Sequence, residues 1–134
     1  MNIINLTPHP CIVLAEDPNG NIEGAVDLKN RRFRRYRKII EIPPSGIIAR
    51  VIQKEERKEY IKVNEIKVPI TKIYYYELEN LPLPKEGIKY YVSYLTAQVA
   101  KLKGRSTKDL LINGEKVRNR NGKIIGIISF AVLD

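Results

Sequence analysis

One cysteine and one histidine are all this chain offers to thiol or imidazole chemistry. Cys11 has no second thiol to pair with, and Cys11 with His9 falls short of the four ligands that a structural zinc site needs. No cofactor is called for, and a reduced, cytoplasmic setting is expected. No run of eighteen apolar residues is present, and the opening Met1-Asn2-Ile3-Ile4-Asn5 has neither the basic start nor the apolar core of a signal peptide. A soluble protein without a membrane partner is therefore expected. Also missing are the phosphate loop Gly-x-x-x-x-Gly-Lys-Ser/Thr, the dinucleotide fingerprint Gly-x-Gly-x-x-Gly and the nucleophile turn Gly-x-Ser-x-Gly. The enzyme classes that depend on them are disfavoured.

Acidic residues are in short supply. Twenty-four Lys and Arg face fifteen Asp and Glu, a formal charge of +9 over 134 residues. Such a charge attracts polyanions at long range and weakens with salt, which makes nucleic acid a partner to test. The abundance of Lys, Glu, Ile and Tyr has a second reading, the charged surface of a thermophile protein.

The firmest local signal runs from Leu81 to Gly104. Leu81-Pro82-Leu83-Pro84-Lys85-Glu86-Gly87 is turn chemistry. Ile88 to Tyr94 is rich in β-branched and aromatic residues with a single charge, which predicts an inner strand contacted on both faces. The period then changes: Leu95, Val99 and Leu102, with Ala97 and Ala100 beside them, mark a short helix that Ser93 or Thr96 caps and Gly104 ends. Further strands are expected at Asn2–Leu6, Cys11–Ala15, Ile39–Ile42, Ile47–Gln53, Tyr60–Val63, Ile66–Ile70, Ile73–Leu78 and Lys108–Ile112. Lys54 to Glu59 reads as a charged hairpin tip, and Asn119-Arg120-Asn121-Gly122 as another, leading into one long final strand whose Gly126 marks a bulge or a close backbone approach. The fold class is α+β, mostly β: a single domain, a barrel or sandwich with antiparallel or mixed strands, of about nine strands and one main helix near residues 95–103.

Lys29 to Lys38 holds seven cations in ten positions without an apolar face and reads as a basic arm or loop, bounded at about residues 27–38. Arg31, Arg32, Arg34, Arg35 and Arg37 interleave with Phe33 and Tyr36, the combination that phosphate neutralisation and base stacking require; a solvated loop is the plainer reading. Tyr74, Tyr75 and Tyr76 are either stacking rings or cross-strand packing. His9 is the only side chain that titrates near neutrality unperturbed, so acid–base chemistry would lean on it or on a shifted carboxylate.

Several segments taken in order carry a resemblance. Asn5-Leu6-Thr7-Pro8-His9 comes first, then Pro44-Ser45-Gly46 with Ala49-Arg50-Val51. Leu81-Pro82-x-Pro84-x-x-Gly87-x-x-Tyr90-x-Val92-Ser93 follows, and then Arg105, Asp109-Leu110 and Asn121-Gly122-Lys123-Ile124-Ile125-Gly126. This pattern resembles a family of small uncharacterised proteins of phages and other mobile elements. The resemblance implies a viral or mobile-element accessory protein of the host cytoplasm, with no assigned activity, catalytic residue or cofactor. The basic stretch is not part of the resembled pattern.

Thr7, His9, Ser45, Arg50, Ser93, Arg105 and Asp109 are polar residues in turns or at strand ends, where a β scaffold exposes binding groups. Gathered together they would suit a phosphate or carboxylate; alternatively Ser45 and Ser93 cap turns, and Arg105 pairs with Asp109. The leading expectation is a non-enzymatic protein binding an anionic partner, either nucleic acid or a small nucleotide-like ligand. The alternatives are a phosphoester-acting enzyme using His9 with Arg50 or Arg105, and a structural homo-oligomer joined through strand edges.

Overall fold

The structure, a computed structural model, describes residues 2–133, with the side chains of Val26, Lys58, Tyr75 and Tyr76 outside what it describes. Its strands are β1 (Asn2–Asn5), β2 (Cys11–Glu16), β3 (Ile22–Asp27), β4 (Arg32–Ile42), β5 (Arg50–Val63), β6 (Ile66–Glu79) and β7 (Ile88–Tyr91). The helix α1 (Tyr94–Leu102) follows, then β8 (Leu110–Asn113), β9 (Lys116–Arg118), β10 (Ile124–Ile127) and β11 (Phe130–Ala131). The class is α+β and mostly β, as expected. The strands form a four-stranded sheet in the order β1-β7-β8-β11, a closed five-stranded barrel in the order β10-β2-β4-β3-β9, and a separate two-stranded ribbon, β5-β6.

Alternation along a strand sends successive side chains to opposite faces, and β7 uses both. Tyr90 packs with Leu6, Val92, Leu110 and Ile112 against Ala97 and Ala100 of α1. Its neighbour Tyr91 turns the other way and packs with Cys11 and Ile127 against the barrel. β7 lies between β1 and β8, parallel to both, and is the inner strand its composition predicted. Ser93 caps α1, its hydroxyl accepting from the Thr96 amide, and Gly104 follows the last turn at φ +83°. The helix buries Thr96, Ala97, Val99 and Ala100, whereas Leu102 is 83% exposed. Small side chains let the helix lie close on the sheet: of the expected stripe Ala97, Val99 and Ala100 are buried, while Leu95 and Leu102 are exposed.

The barrel has its own core of Leu14, Tyr36 and Val117, with Ile12, Ile22 and Ile125 around them. Gly126 stands where a β-carbon would lie 2.8 Å from Leu14 and 3.0 Å from the Ile12 carbonyl, the close approach that its sequence setting implied. The ladder also shifts register between Ile124 and Gly126. The expected long last strand is broken: the chain leaves the barrel after Ile127, and β11 joins the sheet beside β8. The turn after β1 closes no hairpin either. It carries the chain from the sheet into the barrel.

Two expectations are corrected. Most of the basic stretch is no arm or loop: Leu28 to Arg31 form a turn, but Arg32 to Lys38 belong to β4, held between β2 and β3. A closed barrel gives each strand a wet outer face, so cations there need no apolar partner. Likewise Lys54 to Glu59 is no hairpin tip but the middle of β5, which pairs with β6 from Arg50↔Glu79 to Val63↔Ile66. The turn is Asn64-Glu65, both at positive φ (51° and 68°), as a two-residue type I′ turn requires. Ile66–Ile70 and Ile73–Leu78 thus form one strand. At fourteen residues a side, the ribbon is about 45 Å long.

Candidate functional site

Asn5 ends β1 and is 1% exposed, with every hydrogen-bonding position used. Its amide nitrogen donates to the His9 carbonyl at 2.8 Å and the Ile42 carbonyl at 3.0 Å. Its oxygen accepts from the Thr7 amide at 2.9 Å and faces the Thr7 hydroxyl at 2.7 Å. That hydroxyl is also 3.0 Å from the His9 carbonyl. Pro8 and Pro10 on either side of His9 contribute fixed φ angles and no N–H. The Asn-x-Thr-Pro-His order is thereby explained locally: a buried amide ties a rigid loop across the gap between sheet and barrel, and leaves the His9 side chain exposed.

This loop is one wall of a cavity of about 720 Å³. Ser93 and Tyr94, at the start of α1, form a second wall. Lys116 of β9 and Lys123 to Ile127 form the third, on the barrel side. Tyr91 and Asn113 line its sheet side, and Cys11, at the start of β2, adds to the barrel side. No carboxylate is among the lining residues, while Lys116 and Lys123 place two cations there with no ion-pair partner among the described residues.

The lining chemistry is mostly neutral. The Tyr91 hydroxyl donates to Asn113 Oδ1, and its ring meets Phe130 edge-on at 5.9 Å. Burial, then the neighbouring Cys11, pushes Tyr91 up to about 12, with Asn113 opposing. Burial also raises the Cys11 thiol, against its hydrogen bond with Tyr91. Neither group is ionised at neutral pH, and an un-ionised buried thiol is a poor nucleophile. The Ser93 hydroxyl is committed to the helix cap, 3.2 Å from the Thr96 amide and 2.9 Å from the Thr96 hydroxyl.

Of the seven turn residues singled out from sequence, Thr7, His9 and Ser93 line this cavity and the other four do not. Ser45 closes its own turn on Ile47. Arg50 begins β5 and is exposed. Arg105 grips Asp109 through two bonds of 2.8 and 2.9 Å and also donates to the carbonyls of Pro82 and Ser106, a saturated staple between the helix end and the Pro82 loop.

The basic set is divided as well. Arg34 Nη1 donates to both carboxylate oxygens of Glu16, and Arg37 lies 3.7 Å from Asp17. Tyr36 is 3% exposed inside the barrel, and Phe33 lies under the Arg120 guanidinium at 4.1 Å. Arg31, Arg32 and Arg35 are exposed. The expected alternation of free cations with stacking rings is thus not formed. Tyr74 is exposed on the ribbon, while Tyr75 and Tyr76 lie outside the described side chains.

Sequence reasoning missed Asn5, Tyr91, Asn113, Lys116 and Lys123 as parts of a site. Asn5 and Lys123 stand in the quoted motifs, and that was the available signal; Lys116 had none. Among the described residues no group of three or more His, Cys, Asp or Glu could hold a metal ion, and no helix is long and apolar enough to cross a membrane. The chain matches no family model, and no curated protein or solved structure is significantly similar to it.

Proposed function

We propose that this chain binds, without transforming it, a small anionic ligand with an apolar or aromatic body, of the nucleotide-like kind, in the cavity between barrel and sheet. The observation that carries the reading is the lining: three distant segments, 7–12, 91–94 and 116–127, meet around two lysines and His9 with no carboxylate among them. Lysine ammonium groups attract phosphate as point charges. Tyr91, Pro8 and Ile124 to Ile127 supply apolar surface for a ring, and the volume lies within the usual range for small-molecule sites, roughly 300–1,000 Å³. A non-enzymatic role suits a site whose thiol and phenol hold their protons and whose Ser93 is occupied by capping. The resemblance to phage and mobile-element proteins fits an accessory protein that captures such a ligand in a host cell.

Calorimetric titration with nucleoside mono- and diphosphates, with inorganic phosphate alongside, tests this. Binding is expected for at least one nucleotide, and Lys116→Glu with Lys123→Glu should weaken it at least about tenfold, one ion-pair-sized interaction or more. Absence of binding across the panel, or unchanged affinity in the double variant, would overturn it.

A second reading keeps nucleic acid as the partner. Outside the ribbon the chain carries seventeen cations against nine anions, and Arg31, Arg32 and Arg35 are exposed around β4. Salt-dependent retention on DNA that Arg32→Glu with Arg35→Glu abolishes would favour it.

A further inference from the structure

The ribbon leaves one face uncovered in a particular way. Residues opposite each other in an antiparallel pair share a face, and the register sets Val63 beside Ile66 and Ile61 beside Val68. Alternation along β6 adds Ile70 and Tyr74 to that face. All six are exposed, from 38% at Ile70 to 65% at Ile66. The other face of the same segment carries Tyr60, Lys62, Lys67, Pro69, Thr71 and Ile73, with the Lys67 ammonium 5.5 Å from the Tyr60 ring. A two-stranded ribbon with one apolar face needs a second layer to be stable in water.

We propose that this layer is the same face of a second copy, the two ribbons packing face to face about a two-fold axis. Each copy offers on the order of 500 Å² of apolar side chain, so a pair buries about 1,000 Å², the lower bound of a specific interface. Charge points the same way. From Arg50 to Glu79 seven cations face six anions, so two ribbons approach without the repulsion that two strongly basic bodies would feel. Lys72 and Glu59, paired at 3.1 Å, lie on this same face, Glu59 opposite Ile70 and Lys72 between Ile70 and Tyr74, so each copy sets one charge of each sign within the patch. An isologous contact needs such a self-complementary patch.

Faces rather than edges make the contact. Pro69 deprives the β6 edge of a donor, and the register shift between Arg57 and Glu59 distorts β5. The inference is independent of the cavity.

Sedimentation equilibrium of the full chain from low micromolar to submillimolar concentration tests it. A reversible dimer is expected. Ile61→Lys with Val68→Lys should yield monomer with an unchanged near-ultraviolet spectrum, while Lys67→Glu on the opposite face should leave the dimer intact. A monomer throughout, a double variant that still dimerises, or equal dissociation by Lys67→Glu would overturn the proposal.

Discussion

In the body of the molecule each strand finds a second layer. β7 lies between helix and barrel, and Ala100 and Leu110 are fully buried. In the ribbon, β5 and β6 find only each other, and beyond its base, where Leu78 packs near Ala49 and α1, large apolar residues stand in water. The regions differ in charge as well, the body strongly basic and the ribbon nearly balanced. Strands are not stabilised by pairing alone. What distinguishes the two regions is whether a face meets another face, and the same alternating pattern produces a core in one and an uncovered surface in the other.

The contrast can be broken by substitution. Leu110→Ala in the body should cost about 2–5 kcal/mol in denaturant unfolding, because it leaves a cavity in close-packed surroundings. Ile73→Ala on the ribbon's polar face, half exposed already, should cost about 0.5 kcal/mol or less. Equal losses would mean that the ribbon is as well buried as the body.

A smaller effect comes from pH. Tyr91 keeps its proton up to about 12 in the folded chain, while an unfolded tyrosine loses it near 10. The unfolded chain therefore binds fewer protons between those values. Stability tied to Tyr91 is complete below about pH 10 and is lost as pH rises towards 12, on the order of 2–3 kcal/mol in all. Tyr91→Phe should flatten that part of the stability–pH curve, measured by denaturant unfolding at a series of alkaline pH values.

The smallest change sharpens the comparison at the ribbon's tip. Glu65 sits at φ +68°, a conformation that glycine adopts without steric cost. Glu65→Gly should stabilise the turn by about 0.5–1 kcal/mol, seen as slower amide exchange in β5 and β6 with none in the body.

Legibility followed locality. The β7–α1 unit could be read because its signals lie within a few residues of each other: the change of period, the Ser93 cap, Gly104. β4 could not, because its seven-cation neighbourhood becomes a strand only when β2 and β3 flank it, and Tyr36 alone marks the inside. The Lys54–Glu59 run misled for a related reason. Lys54 to Glu59 hold no apolar residue, so their charges read as a tip although Asn64 offered a better one. At the site, Thr7, His9 and Ser93 were named from their turn positions, whereas Arg105 and Asp109, equally polar, are locked to one another, the alternative that the sequence also offered.

By itself the sequence determined the most local features: the β7–α1 unit with its cap and its glycine stop, the Pro-rich turns, and that the chain is basic and poor in thiol and imidazole. Those follow from short-range sterics and periodicity. The tertiary structure alone decided the partners: parallel pairing of β10 with β2 brings Lys123 to Ile127 up to the Thr7–Pro10 loop. It also left the ribbon outside every core. Such contacts join residues more than a hundred positions apart, and their stability depends on faces meeting in space, a property no window of sequence contains.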